Sequence, residues 1–529
     1  MAPFRIFANA TFVADGDRPV TAVAVGGERI IGVGDYDEVR AMLGYNAEVV
    51  DLGGATVFPG FSDNHVHVLN FGRSRMGVPC WPSDVVSITE IAGRVRSAHQ
   101  TREPGHWIRG RGYNPSELAE KRPPTASDLD VDGSRCVVLD SFDFHGRVAN
   151  HAALAAAGIG PDTPDPDDGE IVRSADGFPT GELLDGARSL LDEVMPPWSA
   201  EEDEQAIDIA TDHFLSLGFT YVTNAAPLTM SRRGEEVDAF LRLSERGDLR
   251  IRFTSMIRHE LLEAAADMGL HPGVGGDNFR LEGAKVFADG AFGPRTAFMS
   301  SPYTDTGESG SMRIDVSELE SIVRRAAEAG WPVCVHATGD AAVGRAAATI
   351  EKGGGAPALG HRIEHCCLTS REAIATMVSA KVTPVPQLGF LRYRTADFVA
   401  ALGEERVARL YPLRSWIDAG LRPLHSSDSP VIADARPMAA AATAIERTDA
   451  AGNVFGASEG VTFNEAVAMM TVWPAEHAGL GRERGQIAPG YLSDFTVFSE
   501  DPRAMPASEL AALTPTRTIV GGEIAWETG

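Results

Sequence analysis

Two histidines separated by one residue, His65 and His67, end an apolar run that begins at Val57. Side chains on a β-strand alternate between its two faces, so both imidazoles are expected to point the same way. Neutral histidine nitrogen is a preferred ligand of divalent metals such as zinc. The pair is therefore a candidate metal site, although a His-x-His pair on a strand or loop that holds no metal has the same sequence.

Three further metal-capable side chains each follow an apolar, strand-like run. They are His336 after 332–335, His365 after 362–364 and Asp428 after 421–424. Each one alone has an ordinary structural explanation, as a core histidine, a helix cap or a turn residue. Together with His65 and His67 they place four histidines and one carboxylate in separate strand and helix units. One shared metal site explains this set better than five independent coincidences.

Lys285 lies within the apolar run 284–288, where an unpaired ammonium group would be costly. Only 4 of the 47 basic residues are lysines, so a lysine here is less expected by chance. One interpretation is a salt bridge to Asp289 or a side chain that extends to solvent. The other is a functional amine, because a buried lysine can lose its proton and react. Carbon dioxide would convert this amine to a carbamate, an anion able to bridge two metals.

The central part of the chain alternates between strand-like and helix-like patterns. Strands are predicted at 220–223, 251–255, 284–288, 332–335 and 382–385, and helices at 317–329 and 341–350. Repeated strand and helix units favour a parallel sheet. A (β/α)8 barrel needs about 250 residues and collects its chemistry at the carboxyl ends of its strands. We therefore predict an α/β fold with such a barrel over residues 59–480.

Short β segments occupy both ends of the chain, up to about residue 58 and again at 493–498 and 516–526. Each set is too small to bury a core, so they are predicted to form one composite β-sandwich domain from residues 1–58 and 481–529. The residues beyond the needs of a barrel, about 75–205, are predicted to be an α/β insertion. It contains a predicted helix at 87–98 and a strand near 136–139.

Composition limits the classes of partner. The formal charge of -27 argues against nucleic acid and against an anionic membrane surface. The sequence shows no signal peptide and no apolar stretch of about 18 residues. The five cysteines show no CxxC spacing, which is typical of a protein of the reducing cytoplasm. A small-molecule substrate is therefore expected, and a homodimer stays open.

The ordered set His65-x-His67, Lys285, His336, His365 and Asp428 resembles the metal-dependent amidohydrolase superfamily. The resemblance extends to its YtcJ-like branch, amidohydrolase family 3, which includes N-substituted formamide deformylases. The matching segments span nearly the whole chain and are 57–67, 285–297, 301–303, 336–340, 362–365, 427–430 and 485–497.

The resemblance implies a distorted (β/α)8 TIM barrel with two divalent metal ions, commonly zinc. One ion would be held by His65, His67 and Asp428, and the other by His336 and His365, with carbamylated Lys285 as the bridging ligand. A metal-bridging hydroxide would attack the scissile carbonyl of a small molecule and so cleave its amide-type C–N bond. Asp428 would be the general acid/base of this hydrolysis.

Two alternatives remain open. A mononuclear deaminase of a cyclic amidine-type substrate is similar in fold, but such members carry Glu three residues after the third metal histidine, where this chain has Gly339. A catalytically inactive scaffold on the same fold would have lost metal ligands that this chain keeps.

The resemblance also suggests substrate-binding residues. His145 matches a position usually followed by serine, but Gly146 follows here. Arg295 and Tyr303 lie in a Gly/Ser-rich loop that either lines the pocket or is an ordinary surface loop. The glycine at 146 leads us to expect a different specificity, and relatives also often carry Asp in place of Asn224 and Glu in place of Asp185. The sequence does not name the substrate.

Overall fold

The structure is a computed structural model, and it describes residues 4–14, 19–43, 47–82, 84–101, 106–131, 135–142, 146–166, 169–226, 235–355, 359–432 and 434–529. The chain divides into two compact units. One comprises Met1–Val68 with Ala210–Gly529, and the other is Leu69–Ile209. In the described ranges no helix is long and apolar enough to cross a membrane.

A parallel sheet of seven strands forms the centre of the first unit, and the strands lie side by side in chain order. They are β1 (Phe61–Val66), β2 (Phe219–Asn224), β3 (Arg252–Arg258), β4 (Phe279–Phe287), β5 (Val333–Ala337), β6 (Arg362–His365) and β7 (Thr383–Val385). Every residue of β1, β2, β3 and β6 is buried, as expected for parallel strands with both faces covered. The predicted α/β barrel architecture is confirmed.

An extended segment at 424–429 occupies the eighth position of the barrel. On one side Leu424 N donates to Pro384 O of β7 at 3.1 Å, and on the other Asp428 N donates to His65 O of β1 at 2.8 Å. The strand that the sequence predicts at 421–424 is not formed as a regular element. The backbone of Asp428 adopts a positive φ of 60°, which is incompatible with a regular strand. The barrel is therefore nearly closed by seven strands and one irregular segment.

Helices accompany the sheets of the first unit. In the part of the first unit that the structure describes, they are Tyr36–Leu43, Glu235–Arg246, Leu262–Asp267, Val316–Glu328, Asp340–Gly353, Arg371–Ser379, Leu388–Tyr393, Thr395–Leu402, Glu404–Val407, Leu413–Asp418, Pro437–Glu446, Phe463–Ala468, Val472–His477 and Ala507–Leu510. The helices predicted at 317–329 and 341–350 agree with two of them. Their apolar faces explain this: Leu319, Ile322, Val323 and Ala326 of the first are all buried.

Strands from both ends of the chain form one seven-stranded sheet. In spatial order they are Glu523–Glu527, Arg517–Val520, Phe495–Phe498, Glu48–Pro59, Arg5–Phe12, Val20–Gly26 and Arg29–Gly34. Ile30 at one edge donates its N–H to Tyr491 O at 2.8 Å, so the sheet folds over a core that includes Phe7, Val57 and Phe495. This sheet and the barrel lie in the same compact unit, so the predicted boundaries at 58 and 481 remain an interpretation.

The second compact unit contains its own sheet of six strands. In spatial order they are Gly169–Arg173, Pro179–Asp185, Gly146–Ala149, Val137–Ser141, Ile108–Tyr113 and Val78–Pro79. Its helices among the described residues are Ile88–Thr101, Ala126–Leu129, His151–Ala156 and Ser189–Asp192, and the helices Val68–Met76 and Ala200–Ser216 span its two limits. The predicted insertion at about 75–205 falls within this unit.

Candidate metal centre

The first part of the centre lies where β1 meets the irregular segment. His65 is on β1, His67 follows it directly, and Asp428 is the neighbour across the barrel closure. One ligand atom from each of the three lies within 4.8 Å of the others. Asp428 Oδ1 is 3.3 Å from His67 Nε2 and 3.6 Å from His65 Nε2. The alternation of β1 therefore brings both imidazoles to one point, as the sequence predicts.

The Nδ1 atoms of His65 and His67, which face away from Asp428, are hydrogen-bonded to other groups of the protein. His67 Nδ1 is 2.8 Å from Ala226 O and donates to it. His65 Nδ1 bonds to the carboxylate of Glu364. A ring that donates through Nδ1–H keeps the lone pair of Nε2 available as a ligand. Both Nε2 atoms therefore face Asp428 in the form that binds a metal.

His336 on β5 and His365 on β6 form the second part of the centre. Their ring centroids are 4.3 Å apart, and the His365 ring is 5.1 Å from that of His65. His336 Nε2 donates to Gly290 O at 2.9 Å, and His365 Nδ1 donates to Gln387 Oε1 at 2.8 Å. Burial lowers the pKa of each to about 3, so both are neutral and able to act as ligands near pH 7.

Lys285 on β4 lies beside the first part of the centre. Its side chain is buried, and Nζ lies 3.3 Å from His65 Nε2. Burial is the main cause that lowers the pKa of this amine to about 8. Asp289, the alternative partner, instead accepts backbone N–H bonds from Phe298, Thr338 and Gly339. No ion pair joins it to Lys285 in the described part of the chain.

A divalent cation would satisfy this arrangement. Asp428 Oδ1 is buried and has no hydrogen-bond partner among the described residues. Burying an unpaired carboxylate oxygen is unfavourable, and the atom faces two imidazole nitrogens that carry lone pairs. Three ligand atoms of this kind suit Zn²⁺ or a similar ion.

Comparison with known proteins settles the family. A model of the Amidohydrolase family matches residues 48–525. The chain belongs to this family. This amidohydrolase is 29% identical over 526 residues to YtcJ of Bacillus subtilis (strain 168), a relative named as an amidohydrolase, with 98% of each chain covered. It is also 29% identical over 538 residues to the N-substituted formamide deformylase of Arthrobacter pascens, covering 99% of this chain and 98% of the relative.

A solved structure shares the fold over nearly its whole length. The crystal structure of an uncharacterized metal-dependent hydrolase from Pyrococcus horikoshii OT3 matches with a TM-score of 0.80 and 25% identity, over 96% of this chain and 99% of that one. The family predicted from the sequence is confirmed. This amidohydrolase is a metal-dependent hydrolase that acts on carbon–nitrogen bonds.

Three polar residues of the centre escaped sequence reasoning. Glu364 and Gln387 hold His65 and His365, and Asp63 Oδ1 accepts N–H bonds from Ser427 at 3.0 Å and His65 at 3.3 Å. Asp63 therefore ties together the two segments that carry His65 and Asp428, and burial raises its pKa to about 7. The sequence held a signal for two of these residues. Asp63 lies two residues before His65, so on a strand it shares a face with that histidine. Glu364 directly precedes His365.

No hydrogen bond or ion pair among the described residues links the predicted substrate-binding residues to the centre. His145 lies outside the described residues. Arg295 Nε pairs with Asp305 at 2.9 Å, and Tyr303 Oη donates to Ala297 O at 2.9 Å, so their polar groups are used within one loop. Their role in binding substrate stays a prediction.

Asn224, where relatives often carry Asp, and Gly339, where mononuclear deaminases carry Glu, have structural roles. The Asn224 side chain accepts from Val68 N at 3.1 Å and donates to Ser255 Oγ at 3.1 Å. Gly339 is the N-cap of the helix Asp340–Gly353 and has no side chain that could replace a glutamate.

Proposed function

We propose that this amidohydrolase cleaves an amide-type C–N bond of a small molecule with two divalent metal ions, zinc being the first choice. The observation that carries the proposal is the buried Asp428 Oδ1, which has no hydrogen-bond partner among the described residues and faces the Nε2 atoms of His65 and His67. An oxygen in this position suits a metal ligand that also exchanges protons with the reacting groups.

Six side chains would hold the two ions. His65, His67 and Asp428 would hold one, His336 and His365 the other, and Lys285 would bridge them as a carbamate. The pKa of about 8 leaves an appreciable neutral fraction of the Lys285 amine near neutral pH. The neutral amine is the form that combines with carbon dioxide, which supports the bridging role.

When bound, the divalent metals supply hydroxide at neutral pH and polarise the scissile carbonyl. Asp428 accepts the proton of the attacking water and delivers it to the leaving nitrogen, which would otherwise depart as a poor anionic leaving group. The bonds to Glu364, Ala226 and Gln387 hold the rings of His65, His67 and His365 so that this geometry is formed before substrate arrives.

We propose N-substituted amides as the substrate class, because one relative is an N-substituted formamide deformylase and shares nearly the whole chain. Hydrolysis assays over N-formyl, N-acyl, cyclic amide and carbamate compounds would identify the preferred member. Turnover of a cyclic amidine with release of ammonia, and none of any amide, would instead support the deaminase alternative.

We also place the enzyme in the cytoplasm. All five cysteines are free, and Cys80, Cys334, Cys366 and Cys367 are buried. Reduced, buried thiols are typical of a reducing compartment.

Metal analysis of the purified enzyme tests the centre. About two equivalents of a divalent metal per chain support the proposal, and one equivalent supports a mononuclear deaminase. A chain that is purified without metal, gains none on addition of zinc and hydrolyses nothing would be the inactive scaffold.

A further inference from the structure

The four histidines of the centre differ in what holds the ring nitrogen that faces away from it. Three are held by neutral oxygen atoms: His67 by Ala226 O at 2.8 Å, His336 by Gly290 O at 2.9 Å and His365 by Gln387 Oε1 at 2.8 Å. His65 differs from these three, since its Nδ1 bonds to the carboxylate of Glu364. The two parts of the centre are therefore electrostatically unequal.

Glu364 is itself fixed by a buried ionic network. Arg362 donates to both of its oxygens, from Nε at 2.8 Å and from Nη2 at 3.0 Å. The same guanidinium donates from Nη1 to Glu282 Oε1 at 2.6 Å. All three side chains are buried, and two carboxylates against one guanidinium give a formal charge of -1. This charge favours a cation on the adjoining His65.

A carboxylate that accepts the Nδ1–H bond makes the opposite nitrogen of an imidazole a stronger metal ligand. His65 gains this effect, and its part of the centre also contains the Asp428 carboxylate. The part formed by His336 and His365 has neutral ligands whose hydrogen bonds go to neutral oxygen atoms. The Asp289 carboxylate lies 3.6 Å from His336 Nε2, beyond a hydrogen bond, and it accepts three backbone N–H bonds instead. The first cation therefore finds a carboxylate ligand and a hydrogen-bonded carboxylate on the His65 side, and only the more distant Asp289 carboxylate on the other side.

We propose that the centre fills in a fixed order, with the first ion on His65, His67 and Asp428, and that Glu364 is the positioning residue that sets this order. The proposal rests on the metal centre proposed above. The competing explanation is that Glu364 only neutralises Arg362 inside the barrel. In that case its loss would lower stability and leave the order of filling unchanged.

The native enzyme tests the order directly. The full chain, stripped of metal and given one equivalent of Zn²⁺, is crystallised, and anomalous diffraction at the zinc edge locates the ion. We expect most of the anomalous signal beside His65, His67 and Asp428. Signal beside His336 and His365, or an equal division, would overturn the order while leaving a metal centre in place. Signal at neither position would overturn the proposed centre and this inference with it.

A matched pair of variants tests the role of Glu364. Glu364→Gln removes the charge that contacts His65, and Glu282→Gln removes the same charge from the same network without touching His65. We expect the first variant to bind its first Zn²⁺ roughly 10–100-fold more weakly in competition with a chromophoric chelator. The Glu282→Gln variant should stay within about 3-fold of the native enzyme, well below the loss expected for a contact with a ligand. Equal losses in the two variants would remove the specific role of Glu364. If Glu364→Gln does not fold, the diffraction experiment on the native enzyme still decides the order of filling.

Discussion

Asp428 Oδ1 lies 3.3 Å from His67 Nε2, although Asp428 belongs to the segment at the last position of the barrel and His67 follows the first strand. The Asp428 N–H also donates to His65 O at 2.8 Å, and this bond is part of the closure of the barrel. The contact that closes the barrel therefore also brings together the residues of the first part of the candidate metal centre.

Asp428→Asn separates metal binding from proton transfer. The amide oxygen still reaches the ion, but asparagine does not accept a proton near neutral pH, so turnover should fall by about 10²–10⁴-fold. Metal content, measured by atomic emission, should stay largely intact. Asp418→Asn is the control, because its side chain is 66% exposed and far from the chemistry. Unchanged turnover in Asp428→Asn would remove this residue from the mechanism.

Lys285→Arg tests the bridging carbamate. A guanidinium keeps its proton and does not combine with carbon dioxide, so we expect about one metal ion per chain instead of two. The control is Lys352→Arg, an exposed lysine paired with Glu320 at 2.8 Å, which should keep both ions. Two ions bound in the Lys285→Arg variant would disprove the carbamate.

An ion pair joins the terminal sheet to the barrel. Arg252 Nε, at the start of β3, donates to Asp494 Oδ2 at 2.9 Å, and both side chains are buried. Asp494→Asn leaves a buried guanidinium without its main partner and should lower the free energy of unfolding by about 3 kcal/mol.

The measurement for this pair is urea unfolding, with turnover in buffer expected to stay unchanged. Glu28 also contacts Arg252, at 2.8 Å, but its side chain is 56% exposed. Glu28→Gln should therefore lower the free energy of unfolding by less than about 1 kcal/mol. Similar effects of the two substitutions would mean that the buried pair contributes little.

His425 should make the enzyme less stable in acid. Burial lowers its pKa to about 3, whereas an unfolded histidine has a pKa near 6.5. Protons then bind the unfolded chain more readily, so this stability is complete above pH 6.5 and is lost as the pH falls toward 3. The slope for one histidine is at most about 1.4 kcal/mol per pH unit.

His425→Leu removes this contribution, so its free energy of unfolding should fall less steeply between pH 6 and pH 4 than that of the native enzyme. His271→Gln, at an exposed position, should keep the native slope. An unchanged slope in the His425→Leu variant would show that this histidine does not drive acid unfolding.

Residue type and spacing predicted the candidate ligands because the relevant signals are local. The period of two along β1 is enough to align His65 with His67, and the apolar runs before His336 and His365 mark strands that end at the same edge of a parallel sheet. The strand predicted at 421–424, which does not form, shows where local signals fail. The segment 424–429 is held by hydrogen bonds to β7 and β1, and its sequence has no regular alternation of its own.

The sequence by itself determined the parallel barrel and the family of this protein and named the candidate ligands, since these follow from periodicity and from the order of residues along the chain. The tertiary structure alone decided which nitrogen of each ring faces the centre. That choice depends on Glu364, Ala226, Gly290 and Gln387, which meet the rings only after distant strands pack together. It also decided that Asp428 Oδ1 stays free for a ligand, because burial and the partners of a side chain are properties of the folded chain.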